Sequence, residues 1–391
     1  MKQNINRRKF LSISALAGTG ALMSSFGATA ATKHTGDDEK METRVLGRTG
    51  LVIPILSMGV MRADNPAVVR AAYNSGITFF DTAHGYQNGR NEEMLGNFFH
   101  GKPRESFLIA TKGKGSPRSE TFEQDYAELM DTSLRRLQMD YVDIFYAHAL
   151  GDADEVKDPR MIAMLKKFKE EGKTRFIGFS THAYKPKQID AAIEAGIYDV
   201  ILLGYNFKIN SLEATNAAIE RGVKAGIGFV AMKTMTGGVE DSEGKRKING
   251  AACLRWVWNN KNITTAIPGF TSIDLLEDCL AAAYTPKISQ DDEQYLAELR
   301  EKELLFCTHC QQCVEQCVNH LPIPDIMRAY MYHYGYKYPA LSKETLTALN
   351  LQEMPCASCK HCSVNCASGF NVSQKIASIV PLRHVADQFL V

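Results

Sequence analysis

The chain has 391 residues, of which 45% are apolar and 23% charged, with 45 basic side chains against 44 acidic ones. This is the make-up of an ordinary globular protein, long enough for two or three domains and a large core. A formal net charge of +1 gives no overall field to draw nucleic acid or an anionic membrane surface, so neither is expected as a partner.

Residues 1–31 have the pattern of an export signal. Arg7-Arg8 stand ahead of Phe10-Leu11, and a weakly apolar stretch rich in Ser, Gly, Ala and Thr runs on to Phe26. Ala28-Thr29-Ala30 then offers a small-x-small cleavage site. The combination resembles a twin-arginine signal, which carries folded proteins and implies a periplasmic or otherwise exported product. The apolar stretch is too short and too diluted to span a bilayer, so no membrane span is expected in the mature chain. Residues 32–42 are polar and charged and are expected to form a linker.

From residue 43 to residue 290 short apolar runs alternate with amphipathic stretches. Strands are expected at 55–58, 78–81, 107–111, 143–148, 176–180, 200–204, 228–231 and 265–268. Helices are expected between them, at 120–137, 159–171, 187–195, 212–225, 249–260 and 273–283. The clearest has Phe122, Tyr126, Leu129, Leu134 and Leu137 on one stripe. Eight strands alternating with helices over this length point to an α/β fold, a (β/α)8 TIM barrel. A doubly wound sheet is the alternative, weakened by the lack of a G-x-G-x-x-G after the first strand.

In such a barrel the chemistry lies at the C-terminal strand ends. Those ends carry Asp81, with Tyr86 in the loop behind it, then Lys112, then His148. Alone, each has an ordinary structural use: a cap, a surface aromatic, a rim charge, a core histidine. Together they form a set for proton transfer to a carbonyl oxygen. An ammonium beside the phenol is expected to lower its pKa, a carboxylate to aim the ammonium, and the imidazole to hold a substrate oxygen.

The segments Phe80-Asp81-Thr82-Ala83-x-x-Tyr86, Ala110-Thr111-Lys112 and Asp143-Ile144-Phe145-Tyr146-Ala147-His148 resemble motifs of the aldo-keto reductase family, in the family's order. The run from Arg44 to Leu51 does so too, and the likeness extends over roughly residues 43–284. It implies a barrel that reduces carbonyls or oxidises alcohols with NADP or NAD. On this likeness Tyr86 is the general acid/base, Asp81 and Lys112 its tuning pair, and His148 the group that orients the carbonyl. For the nucleotide it implies Ser180 on the carboxamide, Tyr205 stacked on nicotinamide, Lys233 along the pyrophosphate, and Gly269 and Ser272 in the last binding loop. Leu202 stands where a Gln is usual, and Leu275 where an Arg often grips a 2′-phosphate. Cys253 and Cys279, in helical stretches, are expected to be buried small hydrophobes.

Residues 291–391 change character. Cys307, Cys310, Cys313 and Cys317 repeat the spacing of Cys356, Cys359, Cys362 and Cys366, each a C-x2-C-x2-C-x3-C run. This spacing wraps thiolates around [4Fe–4S] clusters, with the fourth cysteine of each run serving the other cluster. Four cysteines within eleven residues crowd a zinc ribbon, and neighbours with two residues between them are poorly placed for disulfides. Helices are expected at 291–305 and 343–349, with a Tyr-rich segment at 327–338. The long spacer looks like that of α-helical ferredoxins, although Val318 and Ala367 replace the proline often found after the fourth cysteine. The expected domains are thus a signal (1–31), a linker (32–42), a barrel (43–290) and an iron–sulfur domain (291–391).

The function expected is an exported oxidoreductase acting on a small carbonyl or alcohol, with two [4Fe–4S] clusters serving a redox partner protein. No flavin motif is present to split a hydride into single electrons, so the clusters could equally be structural. The competing reading is a non-catalytic ligand-binding barrel that carries an electron-transfer module.

Overall fold

The computed structural model describes residues 40–390, apart from 184, 242, 354 and 358. The expected signal and nearly all of the linker lie outside the described residues. The first elements are a hairpin, β1 (Thr43–Val45) paired antiparallel with β2 (Val52–Pro54). Its turn, Gly47–Thr49, lies against the start of a later strand. A side chain at Gly47, where φ is +49°, would strike the backbone of residues 226–228. Leu46, Leu51 and Ile53 are buried together with Phe79, Ile144, Val200 and Val230. The hairpin thus stoppers the N-terminal end of the parallel strands that these last four residues belong to.

Those strands number eight: β3 (Met58–Gly59), β4 (Phe79–Asp81), β5 (Leu108–Gly113), β6 (Val142–Ala147), β7 (Thr174–Thr181), β8 (Val200–Gly204), β9 (Gly228–Met232) and β10 (Thr265–Ala266). They pair in chain order, and a parallel bridge from Leu56 to Ala266 closes the ring. The expected (β/α)8 barrel is therefore present. Every expected strand lies within about three residues of an observed one at both ends, close to the ordinary spread of element boundaries. The first differs most, because its ladder with β4 uses Met58 and Gly59 while Leu56 faces the closing strand.

The strands are apolar on both faces because both faces are covered. In β6, Ile144 and Tyr146 fill the lumen while Phe145 and Ala147 pack under the helices. In β8, Val200 and Leu202 point in and Ile201 and Leu203 point out. Two helices that the apolar pattern does not announce, Pro66–Asn74 and Arg90–Phe99, complete the early βα units.

Past the barrel, helix Gln290–Arg300 starts with a capping box between Ser289 and Asp292. It stops at Arg300, short of the expected 305. The Tyr-rich segment belongs to helix Ile323–Tyr334, and the helix expected at 343–349 is Pro339–Thr347. Helix Val372–Ile379 joins them around a second core that includes Ile323, Ile326, Leu346, Phe370 and Ile376. A further cluster ties this tail to the barrel: Leu305, Phe306, Met331 and Tyr332 pack with Val239 of the loop after β9 and with Met61. Among the described residues no helix is long and apolar enough to cross a membrane.

The barrel's lower edge is held by buried carboxylates. Asp143 is fully buried, pairs with Arg104 and Arg175 at 2.7 Å each, and accepts the Ile109 N–H at 2.9 Å. Asp143→Ala strips two cations of their partner and leaves a buried donor unpaired, at a cost of about 3 kcal/mol. Urea unfolding of the variant is expected to show that loss; a midpoint equal to wild type would dismiss the role.

Candidate active site

The upper rim gathers the four residues singled out from the sequence. Asp81 ends β4 and Lys112 lies on the adjacent β5, where Asp81 is in register with Ala110. Lys112 Nζ is 2.5 Å from Asp81 Oδ1 and donates also to the Thr82 carbonyl at 2.6 Å. Both side chains are almost wholly buried, with residue exposures of 3% for Asp81 and 1% for Lys112. Burial pushes each toward its neutral form, the carboxyl up and the ammonium down, and each partner pulls the other back.

Tyr86 opens a tight turn, Tyr86–Gly89, in which Gln87 and Asn88 both take positive φ. The turn is pinned from beneath. Gln87 Nε2 donates to the Met61 and Ala63 carbonyls, and buried Asn91 accepts from the Thr82 hydroxyl at 2.7 Å. This sets the Tyr86 ring 5.1 Å from Lys112 Nζ and 5.9 Å from the His148 ring, edge-on. His148 follows β6, its backbone N–H bonded to the Gly113 carbonyl. The four side chains therefore share one mouth.

One expectation is corrected. The phenol of Tyr86 is not lowered by its lysine; burial pushes it well above its ordinary value, and Asp81, Tyr332 and Tyr336 push the same way. The physical reason is burial, which removes the water that would stabilise a phenolate; Arg328 pulls the other way and does not offset it. His148 is held well below its usual range by burial first, then by Lys112, Lys114, Arg328 and Lys233. The mouth thus holds a protonated phenol and a neutral imidazole.

The residues assigned to a nucleotide are placed apart. Ser180, buried on β7, accepts the Ala149 N–H at 2.8 Å through its hydroxyl. Gly269 faces the Gly59 carbonyl, and Ser272 caps the exposed start of helix Ile273–Tyr284. That exposed helix start, next to a glycine loop, suits a phosphate group. Tyr205 does not reach the mouth. Its ring lies 5.2 Å from Trp256 among the outer helices, and its hydroxyl meets Asn216 and Asn260. Lys233, with φ of +57°, turns its ammonium toward the tail, 3.4 Å from the Tyr332 hydroxyl.

Residues that the motifs did not point to complete the chamber. Arg328, Met331, Tyr332 and Tyr336 come from the tail and lie across the mouth. Arg62 stacks on Tyr336 and donates to its carbonyl at 2.7 Å. A small cavity between rim and tail is lined by His182, Lys233, Cys307, His309, Arg328 and Met331. The rings of His182 and His309 are 5.6 Å apart. The only sequence signals for these were the histidine after Thr181, the one inside the first cysteine run, and the density of tyrosines.

The cysteines are gathered across the two runs. Burial pushes the Cys307 thiol up to about 12, and Cys313, Cys366 and Cys310 are the thiols close enough to add to it. Around Cys356 the corresponding neighbours are Cys359, Cys317 and Cys362. A cavity opens between Cys317, Cys356, Cys359 and Cys362, walled by Ile323 and Val372. Among the described residues no three His, Cys, Asp or Glu side chains are set to hold a metal ion. Cys253 and Cys279 are buried in barrel helices, as expected.

Residues 57–251 match the Aldo/keto reductase family. The chain is similar to an L-galactose dehydrogenase from Arabidopsis thaliana, 28% identical over 304 residues that cover 66% of this chain and 93% of the relative. It is also similar to an L-glyceraldehyde 3-phosphate reductase from Escherichia coli K12, 28% identical over 178 residues, 40% of this chain and 49% of that one. Its fold resembles the aldo-keto reductase AKR11C1 from Bacillus halodurans in its holo form, with a TM-score of 0.56 at 22% identity, covering 69% of this chain and 99% of that structure.

The neutral histidine gives a pH test. Unfolded, the imidazole takes up a proton near its ordinary 6.5, while folded it does not until far lower. The unfolded state therefore binds the extra proton below about pH 6.5, and stability falls as pH drops through that window, by up to about 1.4 kcal/mol per pH unit for this group. Urea midpoints are expected to fall between about pH 7.5 and about pH 5.5, and to fall less in His148→Gln. An equal fall in both proteins would refute the assignment.

Proposed function

The chain belongs to the aldo/keto reductase family and is an oxidoreductase, and from the geometry of its mouth we propose reversible hydride transfer between NADP or NAD and a small carbonyl or alcohol. The observation that carries this reading is the convergence of Asp81, Tyr86, Lys112 and His148 on one rim. The L-galactose dehydrogenase and the L-glyceraldehyde 3-phosphate reductase are named for catalysis, which favours an enzyme over a ligand-binding barrel.

Tyr86 hands its phenolic proton to the carbonyl oxygen. A phenol kept protonated by burial suits that role, because the proton is present when the oxygen arrives. His148, neutral, offers an N–H to the same oxygen and stabilises the charge that develops there. Lys112, fixed by Asp81 and Thr82, sets a positive charge beside the phenolate that remains. The nucleotide would be held by Ser180, Gly269 and Ser272, with its phosphates at the exposed start of helix Ile273–Tyr284, and the chemistry it supplies when bound is a hydride for the carbonyl carbon. The tail's tyrosines lie over this mouth, so substrate reaches it between tail and rim.

The same reading gives the tail two [4Fe–4S] clusters, one on Cys307, Cys310, Cys313 and Cys366 and one on Cys317, Cys356, Cys359 and Cys362. The run spacing, the crosswise grouping of thiols and the thiol-lined cavity support it. A cluster chemistry supplies single electrons, so a redox partner protein is the consumer proposed. Export by the twin-arginine route, to the periplasm or beyond, is proposed from residues 7–30 and suits a chain that receives its clusters before crossing.

Tyr86→Phe is expected to cut carbonyl turnover with NADPH or NADH by about 100-fold or more; unchanged turnover would sink the mechanism. Protein purified without oxygen is expected to hold about eight irons per chain, and Cys366→Ser about four. No iron in the wild type, or none lost from the variant, would count against the clusters and their crosswise ligands respectively.

A further inference from the structure

We propose that the chamber selects carbonyl substrates bearing an oxyanion, a carboxylate or phosphate, which Lys233 and Arg328 grip while the carbonyl faces Tyr86 and His148. The inference rests on the reductase reading and names its substrate class. Two cations are the starting observation. Lys233 stands past β9 at the rim, and Arg328 is carried by tail helix Ile323–Tyr334. Both line the small cavity beneath the tail.

Neither cation is fully matched. Lys233 makes one polar contact, to the Tyr332 hydroxyl, and otherwise faces the rings of Tyr332 and Tyr336 at 4.9 and 5.1 Å. Among the described residues no carboxylate pairs with it. Arg328 pairs with Asp325 through Nη2 at 2.7 Å, and among the described residues no other hydrogen bond engages its remaining N–H groups. Two other carboxylates near the mouth are committed: Asp81 to Lys112, and Glu92 to Arg136 and Thr111. Lys112, Lys114, Arg328 and Lys233 all bear on His148 with the same sign.

A half-sheltered site with surplus positive charge favours an anion that brings its own charge. A guanidinium with unused donors beside an ammonium is the chemistry that recognises carboxylates and phosphates. The anion would displace the weak contact between Lys233 and the Tyr332 hydroxyl. It would also be gripped from both sides, once by the barrel and once by the tail. Lys233 lies inside the stretch that matches the family, residues 57–251, and Arg328 outside it, so the tail supplies one of the two cations.

The test uses the full chain, purified without oxygen, and matched substrate pairs: succinic semialdehyde with butyraldehyde, and glyceraldehyde 3-phosphate with glyceraldehyde. The charged member of at least one pair is expected to have the higher kcat/KM by about tenfold, as for one hydrogen bond to a charged group. Which pair shows it tells carboxylate from phosphate. Arg328→Gln is expected to erase most of that preference, chiefly through KM, and Arg328→Lys to restore part of it. Calorimetry with succinate and inorganic phosphate is expected to show binding to the wild type that weakens about tenfold in Arg328→Gln. Equal kcat/KM within both pairs overturns the proposal, as does a preference that survives Arg328→Gln. So does a variant that alters visible absorption while leaving the preference intact, which would assign the cation to the cysteines. If the wild type turns over no carbonyl, the reductase reading fails, and the calorimetry alone decides the subsite. Should Arg328→Gln not fold by circular dichroism, Lys233→Gln takes its place in both measurements.

Discussion

At the centre of the mouth two opposite charges meet with almost no water around them. The ammonium of Lys112 and the carboxylate of Asp81 lie 2.5 Å apart, nearly wholly buried. Either alone would cost several kcal/mol to desolvate. They meet because β4 and β5 run parallel in a fixed register, with Asp81 opposite Ala110 and Lys112 two residues on, along the same face. The pair also sets the state of its neighbours. Asp81 helps to keep the Tyr86 phenol protonated, and Lys112 helps to keep His148 neutral. A proton donor and an uncharged hydrogen-bonding ring are thereby provided by one ion pair that touches neither proton directly.

The tail changes what kind of barrel this is. The family match runs over residues 57–251, and Arg328, Met331, Tyr332 and Tyr336 of the chamber's far wall lie beyond it. Met331 and Tyr332 pack against the loop after β9, Tyr336 lies under Arg62, and His309 meets His182. These aromatic and cationic contacts lie beside the buried cluster of Val239, Leu305, Phe306 and Met331, so apolar burial closes the seam between rim and tail.

Much of this was legible in the chain, for identifiable reasons. Strands buried on both faces appear as apolar runs, and β6 and β8 are read directly from theirs. The four rim residues were legible because each stands at a strand end or one turn beyond. Helix Arg90–Phe99 was not, since it buries Asn91 and Glu92 along with Leu95 and Phe99 and so breaks the apolar stripe. Tyr205 was misplaced because its partners, Trp256, Asn216 and Asn260, are distant in sequence, and nothing local tells which side of the sheet its ring takes. The state of the Tyr86 phenol depended on its burial, which spacing does not encode. The tail's position over the mouth is likewise a matter of contacts across long separations.

The crosswise grouping of the cysteines carries a mechanical meaning. Cys366 sits with the first run and Cys317 with the second. The two runs are therefore folded against each other, and the stretch of chain between them starts and ends at one place. Helix Ile323–Tyr334 lies between the two runs in the chain and bears Arg328 and Tyr332. The span that reaches over the barrel is thus a loop closed on itself, and Ile323, Ile326 and Leu346 of the second apolar core sit inside that closure.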